Sequence, residues 1–175
     1  LVGDQIDLEN GTTIAHAISV DATGLTTAGG QMQAAGPGVL SLAVGGTLDN
    51  AGGTIAGNGS LAVTAGTLDN SSGYLGAAGT GTSLVDVAGQ LDNAAGTIET
   101  GTDLALSTAH LDNTAGTIRS AGGDLHIDAG VLDGAGGTLS GQGTLHLQGT
   151  HTNLGGGTTV ADRIILDTGT LITAG

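Results

Sequence analysis

The 175-residue chain contains no cysteine, tryptophan or phenylalanine, and only one tyrosine (Tyr74), one methionine (Met32) and one proline (Pro37). Its cations, histidine aside, are Arg119 and Arg163, set against 16 acidic residues and a formal net charge of −14. Each shortage excludes something. Two arginines cannot neutralise a phosphate backbone, so nucleic acid is not an expected partner. With no lysine, a phosphate-binding P-loop is ruled out. Without cysteine there are no disulfides, no thiolate metal site and no thiol nucleophile. A single aromatic leaves no stacking platform and no aromatic core. No apolar run approaches the ~18–20 residues of a membrane helix, so no membrane insertion is expected. No basic leader stands at Leu1, and the sequence reads as a segment of a longer chain.

Glycine, in contrast, is abundant, at 36 residues. Gly, Pro, Ser and Gln together reach about 30% of the chain, a composition typical of disorder when it lacks a period. Here a period exists. Residues 48–67 read LDNAGGTIAGNGSLAVTAGT, and new units open with Leu-Asp at Leu68, Leu91, Leu111 and Leu132. The shared pattern is L-D-N-x-x-G-T-I-x-x-G-x-x-L-x-L-x-x-G-x. Regular repeats span 48–151. Degenerate copies occupy 8–47, with Leu8, Asn10, Ile14, Met32, Leu40 and Leu42 as their markers. Further copies occupy 152–175, marked by Thr158, Val160, Ile164 and Leu166, with one residue lost near Leu154. No linker interrupts the series, so 1–175 is expected to be one domain.

Within a unit, Leu104-Ala105-Leu106, Leu125-His126-Ile127 and Leu145-His146-Leu147 alternate with period two, the mark of a strand with one buried face. Thr54-Ile55, Thr97-Ile98 and Thr117-Ile118 mark a second strand. The leucines that open each unit supply a third inward position, and Gly, Asn and Ser between them supply turns. No segment carries apolar residues at helical spacing. One unit cannot bury its apolar side alone, but stacked units can, with equivalent residues ~4.8 Å apart. The expected fold is therefore all-β: a parallel β-helix of about eight coils whose thin core suits aliphatic side chains. A leucine-rich repeat, a calcium-binding nonapeptide roll and a β-propeller each require motifs that are missing here.

Several columns of like residues carry candidate chemistry. Asn50, Asn70, Asn93 and Asn113 form a column broken by Gly134, and they are expected to hydrogen-bond along it as a structural ladder. Asp49, Asp69, Asp92, Asp112 and Asp133 form a second column. It is expected to cap turns through Asx hydrogen bonds; a divalent-cation strip is the other reading, disfavoured because a straight column spreads its oxygens apart. His126 and His146 share one repeat position and should point outward from adjacent coils. Two such imidazoles could hold a zinc or nickel ion, but no third ligand stands nearby in the pattern, and a solvated strand face is the simpler expectation. Thr54, Thr97, Thr117 and Thr138 form a threonine column interrupted by Tyr74, which argues against an ice-binding array. No nucleophile elbow or H-E-x-x-H motif is present. The expectation is a non-enzyme with no catalytic residues, no metal or cofactor and no small-molecule substrate.

The L-D-N-x-x-G-T-I-x-x-G-x-x-L-x-L pattern resembles the roughly 20-residue repeat of filamentous haemagglutinins and related large exoproteins. The resemblance is clear over 48–151 and looser over 8–170. It implies a right-handed β-helix forming part of a rod on a Gram-negative cell surface. It also implies export by two-partner secretion through an outer-membrane β-barrel transporter, with neighbouring repeats of the same chain as the other partners. Such exoproteins include adhesins, biofilm proteins and contact-dependent growth-inhibition proteins that carry a distal toxin. This segment would then be a stalk. The alternative is an adhesive segment centred on Tyr74 and the insertion Ala77–Thr82, which should bulge from the coil. Adhesins of this kind that bind sulfated glycans need a basic surface, which two arginines do not make.

Overall fold

The computed structural model describes residues 1–174, in which seventeen strands alternate with tight turns and no helix forms. The strands are β1 (Val2–Asp7), β2 (Thr12–Ala15), β3 (Ser19–Thr26), β4 (Gln31–Ala34), β5 (Leu40–Asp49), β6 (Thr54–Gly57), β7 (Leu61–Asp69), β8 (Tyr74–Ala77) and β9 (Ser83–Asp92). They continue as β10 (Thr97–Thr100), β11 (Leu104–Asp112), β12 (Thr117–Ser120), β13 (Leu125–Asp133), β14 (Thr138–Gly141), β15 (Thr144–Asn153), β16 (Thr158–Val160) and β17 (Arg163–Ile172). Odd-numbered strands build a nine-stranded sheet in chain order, and even-numbered strands build an eight-stranded one. Every pairing is parallel and joins a strand to its equivalent one coil along. The chain is a parallel β-solenoid of about eight turns, roughly 20 residues apart.

The repeat pattern sets this register. Leu48, Leu68, Leu91, Leu111 and Leu132 pair in succession and are all buried. Met32, Ile55, Leu75, Ile98, Ile118 and Leu139 form a second buried column. Leu42, Val63, Val85, Leu106, Ile127 and Leu147 form a third. Burying one such side chain is worth about 1.5–3 kcal/mol, and only the stacked neighbour provides the burial. A one-residue slip would turn a whole column outward, so the register is strongly specified.

Each coil holds two strands, and the third inward position falls on the longer one, which turns a corner without losing its ladder. In β5 the inward set Leu40, Leu42, Val44 gives way to Leu48 across Gly45-Gly46. The register shifts at this bend between β5 and β7, between β3 and β5, between β7 and β9 and between β9 and β11. Coils of unequal length absorb their extra residue there as a bulge.

The outer coils correct part of the sequence reading. In β2 the inward residue is Thr13, which pairs with Met32, and Ile14 points outward. In β16 Thr159 pairs with Leu139, and Val160 is exposed. Ile6, not Leu8, takes the leading leucine position by pairing with Leu25. The short coil loses its residue between β16 and β17 rather than near Leu154. In the regular unit that opens at Leu68, Ala77 is buried inside β8, so the bulge comprises Ala78–Thr82. In each of the outer coils the defining tripeptide is missing, and single apolar residues mark the register poorly.

Candidate functional site

The column of asparagines runs through the interior beside the leucine column. Asn50, Asn70, Asn93 and Asn113 are all fully buried. Asn50 Nδ2 donates to Asn70 Oδ1 at 2.7 Å, Asn70 Nδ2 to Asn93 Oδ1 at 2.7 Å, and Asn93 Nδ2 to Asn113 Oδ1 at 2.7 Å. Each amide also donates to backbone: Asn50 to the Tyr74 carbonyl, Asn70 to that of Thr97, and Asn93 to that of Thr117. Thr27 stands in the same column one coil earlier, and its hydroxyl donates to Asn50 Oδ1 at 2.8 Å. At the other end Gly134 offers no side chain, and Asn113 Nδ2 keeps only the equivalent backbone contacts, to the Gly116 and Thr138 carbonyls at 3.3 and 3.4 Å. Leu8 and Leu154 lie partly buried against the core at the two flanks of this column. Among the described residues no buried side-chain nitrogen or oxygen lacks a partner. A fully satisfied buried amide column holds register without leaving a polar group desolvated.

The turn after each ladder residue is equally repetitive. Asn10, Gly29, Gly52, Ser72, Ala95, Ala115, Gly136 and Gly156 occupy its equivalent position with φ between 54° and 66°. Four of these eight are not glycine, which the sequence alone does not signal. The glycine that follows has a different reason. A Cβ on Gly96 would strike the Asn70 carbonyl one coil back, and Gly73 and Gly116 stand in the same relation to Asn50 and Asn93. The invariant spacing of the repeat's first glycine therefore reflects close coil-to-coil approach.

The aspartate column lies at the corner just before these turns. Asp49, Asp69, Asp92, Asp112 and Asp133 pair in register along the coils. In each, Oδ1 accepts the backbone N–H two residues on: Ala51 at 3.0 Å, Ser71 at 2.9 Å, Ala94 at 2.8 Å, Thr114 at 2.9 Å and Ala135 at 3.2 Å. These are Asx turns. Among the described residues, no three His, Cys, Asp or Glu side chains converge on one point that could hold a metal ion.

Two surface groups complete the inventory. His126 and His146 are register partners on β13 and β15, with ring centroids 4.8 Å apart. On the other sheet, Glu99 and Arg119 are register partners joined by a 2.9 Å ion pair. The Tyr74 ring folds over Gly76, where the missing side chain leaves room, and Gly76 is the register partner of Glu99. Partial burial, and then the charge of Glu99, hold the Tyr74 phenol above its ordinary pKa of 10.0. Tyr74, Ala77, Ala78, Glu99, Thr100 and Gly101 surround a shallow depression of about 300 Å³. The sequence reading singled out Tyr74 but missed its neighbours, although Glu99 and Arg119 share the position after Thr-Ile in consecutive repeats.

Stacked coils around an aliphatic and amide interior, with short strands and acidic corners outside, define a structural repeat protein of the parallel β-solenoid class. A family model described as haemagglutinin repeat matches residues 4–52, 33–95, 80–130 and 120–175, and the chain belongs to that family. Comparisons with curated proteins and with solved structures returned no match.

Proposed function

We propose that this chain is a stalk segment of a secreted, filamentous exoprotein on the outer face of a Gram-negative outer membrane. It would project a distal binding or toxin module for adhesion or contact-dependent growth inhibition, after export through a two-partner outer-membrane transporter. The observation that carries this reading is the haemagglutinin-repeat match along the whole chain, coupled to uninterrupted parallel pairing from β1 to β17. A solenoid extends by adding coils that contact only their neighbours, at ~4.8 Å each, so eight turns span about 40 Å. The net charge of −14 keeps neighbouring rods apart. Swapping this segment in its parent exoprotein for other coils of equal number should preserve the activity of the distal module. Loss of that activity on an equal-length swap would contradict the stalk reading.

A second reading has one observation in its favour. Tyr74 and Glu99 line a depression, and Arg119 is ion-paired to Glu99, which sets the sole tyrosine near an arginine, residue types that anchor recognition. An adhesive role predicts saturable binding of the isolated chain to a glycan or protein, abolished by Tyr74→Ala. The stalk role predicts none.

A further inference from the structure

The histidine pair stands outside everything the stalk reading uses. His126 lies between buried Leu125 and Ile127 and His146 between buried Leu145 and Leu147, so both imidazoles project from the outer face of the nine-stranded sheet. They are direct register partners. Their rings are tilted 55° to each other with centroids 4.8 Å apart. A parallel stack would bring the planes together; a tilted pair can turn one nitrogen of each ring toward a common point.

That separation can be compared with ligand geometry. A metal–nitrogen bond is about 2.0–2.1 Å and a ring nitrogen sits about 1.1 Å from its centroid, so two imidazoles on one ion have centroids roughly 4.5 Å apart at a right angle and roughly 5.2 Å apart at the tetrahedral angle. The observed 4.8 Å falls between these limits. The column on either side is clear of competing ligands, with Ala105 one coil before and Ile165 one coil after. Asp128, two residues beyond His126 on the same strand face, adds negative charge near the pair. The remaining histidines are arranged differently. His110 and His151 also share a column, but Val131 separates them, so they sit two coils apart.

We infer that His126 and His146 form a two-imidazole site for a divalent ion that prefers nitrogen ligands, such as Zn²⁺ or Ni²⁺, with water completing its coordination. Imidazole selects these ions over calcium and magnesium, which take oxygen ligands. Among the described residues no third His, Cys, Asp or Glu side chain converges there, which leaves the ion open to solvent and exchangeable. Bound there, it would tie the coil of β13 to that of β15 from outside.

Titration of the whole chain with ZnCl₂ at pH 7.5, followed by the histidine ring carbon–proton signals in NMR and by calorimetry, tests the site. One ion should bind per chain, and the signals of His126 and His146 should shift while those of His16, His110 and His151 stay. His126→Ala and His146→Ala should each weaken binding at least about tenfold, and His110→Ala and His151→Ala should leave it unchanged. Both substituted rings are on the outer face, and an unaltered melting curve without metal confirms that the variants fold. Calcium at equal ionic strength should shift neither ring. Absence of a saturable shift at His126 and His146, or retained affinity in the double variant, would overturn the assignment. So would equal shifts with calcium, since the pair would then merely sense accumulated cations.

Discussion

Asn70 and Asn93 are 23 residues apart in sequence, yet the amide nitrogen of the first donates at 2.7 Å to the amide oxygen of the second. Asn93→Ala would leave Asn113 Oδ1 unpaired in a dry interior and take one of its acceptors from Asn70 Nδ2, which keeps the Thr97 carbonyl. The expected loss is about 1–3 kcal/mol, the cost of the one buried group left unpaired. Asn58→Ala removes an exposed amide that donates to the Ala35 carbonyl, and should cost under about 1 kcal/mol. Denaturant midpoints of the two variants measure the difference, and equal midpoints would remove the ladder's role in stability.

Left-handed turns held by alanine invite a stabilising change. Ala95 and Ala115 both sit at φ 54°. Glycine relieves about 1–2 kcal/mol of strain there and returns part of it as unfolded-chain entropy. Ala95→Gly should therefore stabilise by roughly 0.5 kcal/mol. One residue on, Gly96→Ala should destabilise strongly, because its Cβ has no room beside the Asn70 carbonyl. A lower melting temperature for Ala95→Gly would contradict the strain argument.

Side-chain direction on β10 alternates between interior and solvent. Ile98→Asp places an unpaired carboxylate in a fully buried site and should cost several kcal/mol. Glu99→Ala removes only a surface ion pair with Arg119 and should cost under about 1 kcal/mol. Comparable chemical-denaturation midpoints would mean that the two directions are wrongly assigned.

Tyr74 is the sole tyrosine in a chain without tryptophan, so absorbance at 295 nm follows this phenol alone. Its titration midpoint should lie above that of the unfolded chain. A raised folded pKa means that the contribution is fully present below the unfolded value and is lost as pH rises through the folded one. Glu99→Gln removes the neighbouring negative charge and should move the midpoint down, with desolvation still holding it above the unfolded value. An unmoved midpoint would show that Glu99 does not act on the phenol.

The aspartate corner makes a separable prediction. Asp92→Ala loses the acceptor for the Ala94 N–H and should cost about 0.5–1.5 kcal/mol. Asp92→Asn keeps an oxygen at that place and removes one charge from a column of like charges, so its thermal midpoint should equal or exceed that of the parent. If both variants melt alike, the Asx bond contributes nothing measurable.

The parallel solenoid was legible because period and pattern agreed over 48–151, where Leu-Asp-Asn fixes the register unit by unit. At the flanks the same reasoning took Ile14 and Val160 as markers of the repeat, and the structure turns both to solvent. An isolated β-branched residue does not say which way it faces when its neighbour is threonine, which a coil can also bury. The third inward position at the unit-opening leucines was legible, but the sequence cannot show that pairing persists around the corner at Gly45-Gly46 and makes one strand of the two. Ala95 and Ala115 gave no sign of a left-handed turn, because close packing of coils imposes that conformation against their preference. The shared repeat position of His126 and His146 was visible, but their ring separation and tilt depend on side-chain rotation about fixed strands.

The amides of the buried ladder all point the same way. From Asn50 to Asn113 every Nδ2 faces the later coil and every Oδ1 the earlier one, so the interior carries an arrow. A finished coil thus presents a hydrogen-bond donor, not an acceptor, to whichever coil is laid on it next. That donor fixes where the asparagine of the adjacent carboxyl-side coil lies. Gly134 ends that instruction, since the Asn113 donor finds only backbone there. The buried ladder thus has a single polarity from Thr27 to Asn113, and beyond Gly134 the register is carried by the aliphatic columns and the parallel backbone pairing of β13 with β15.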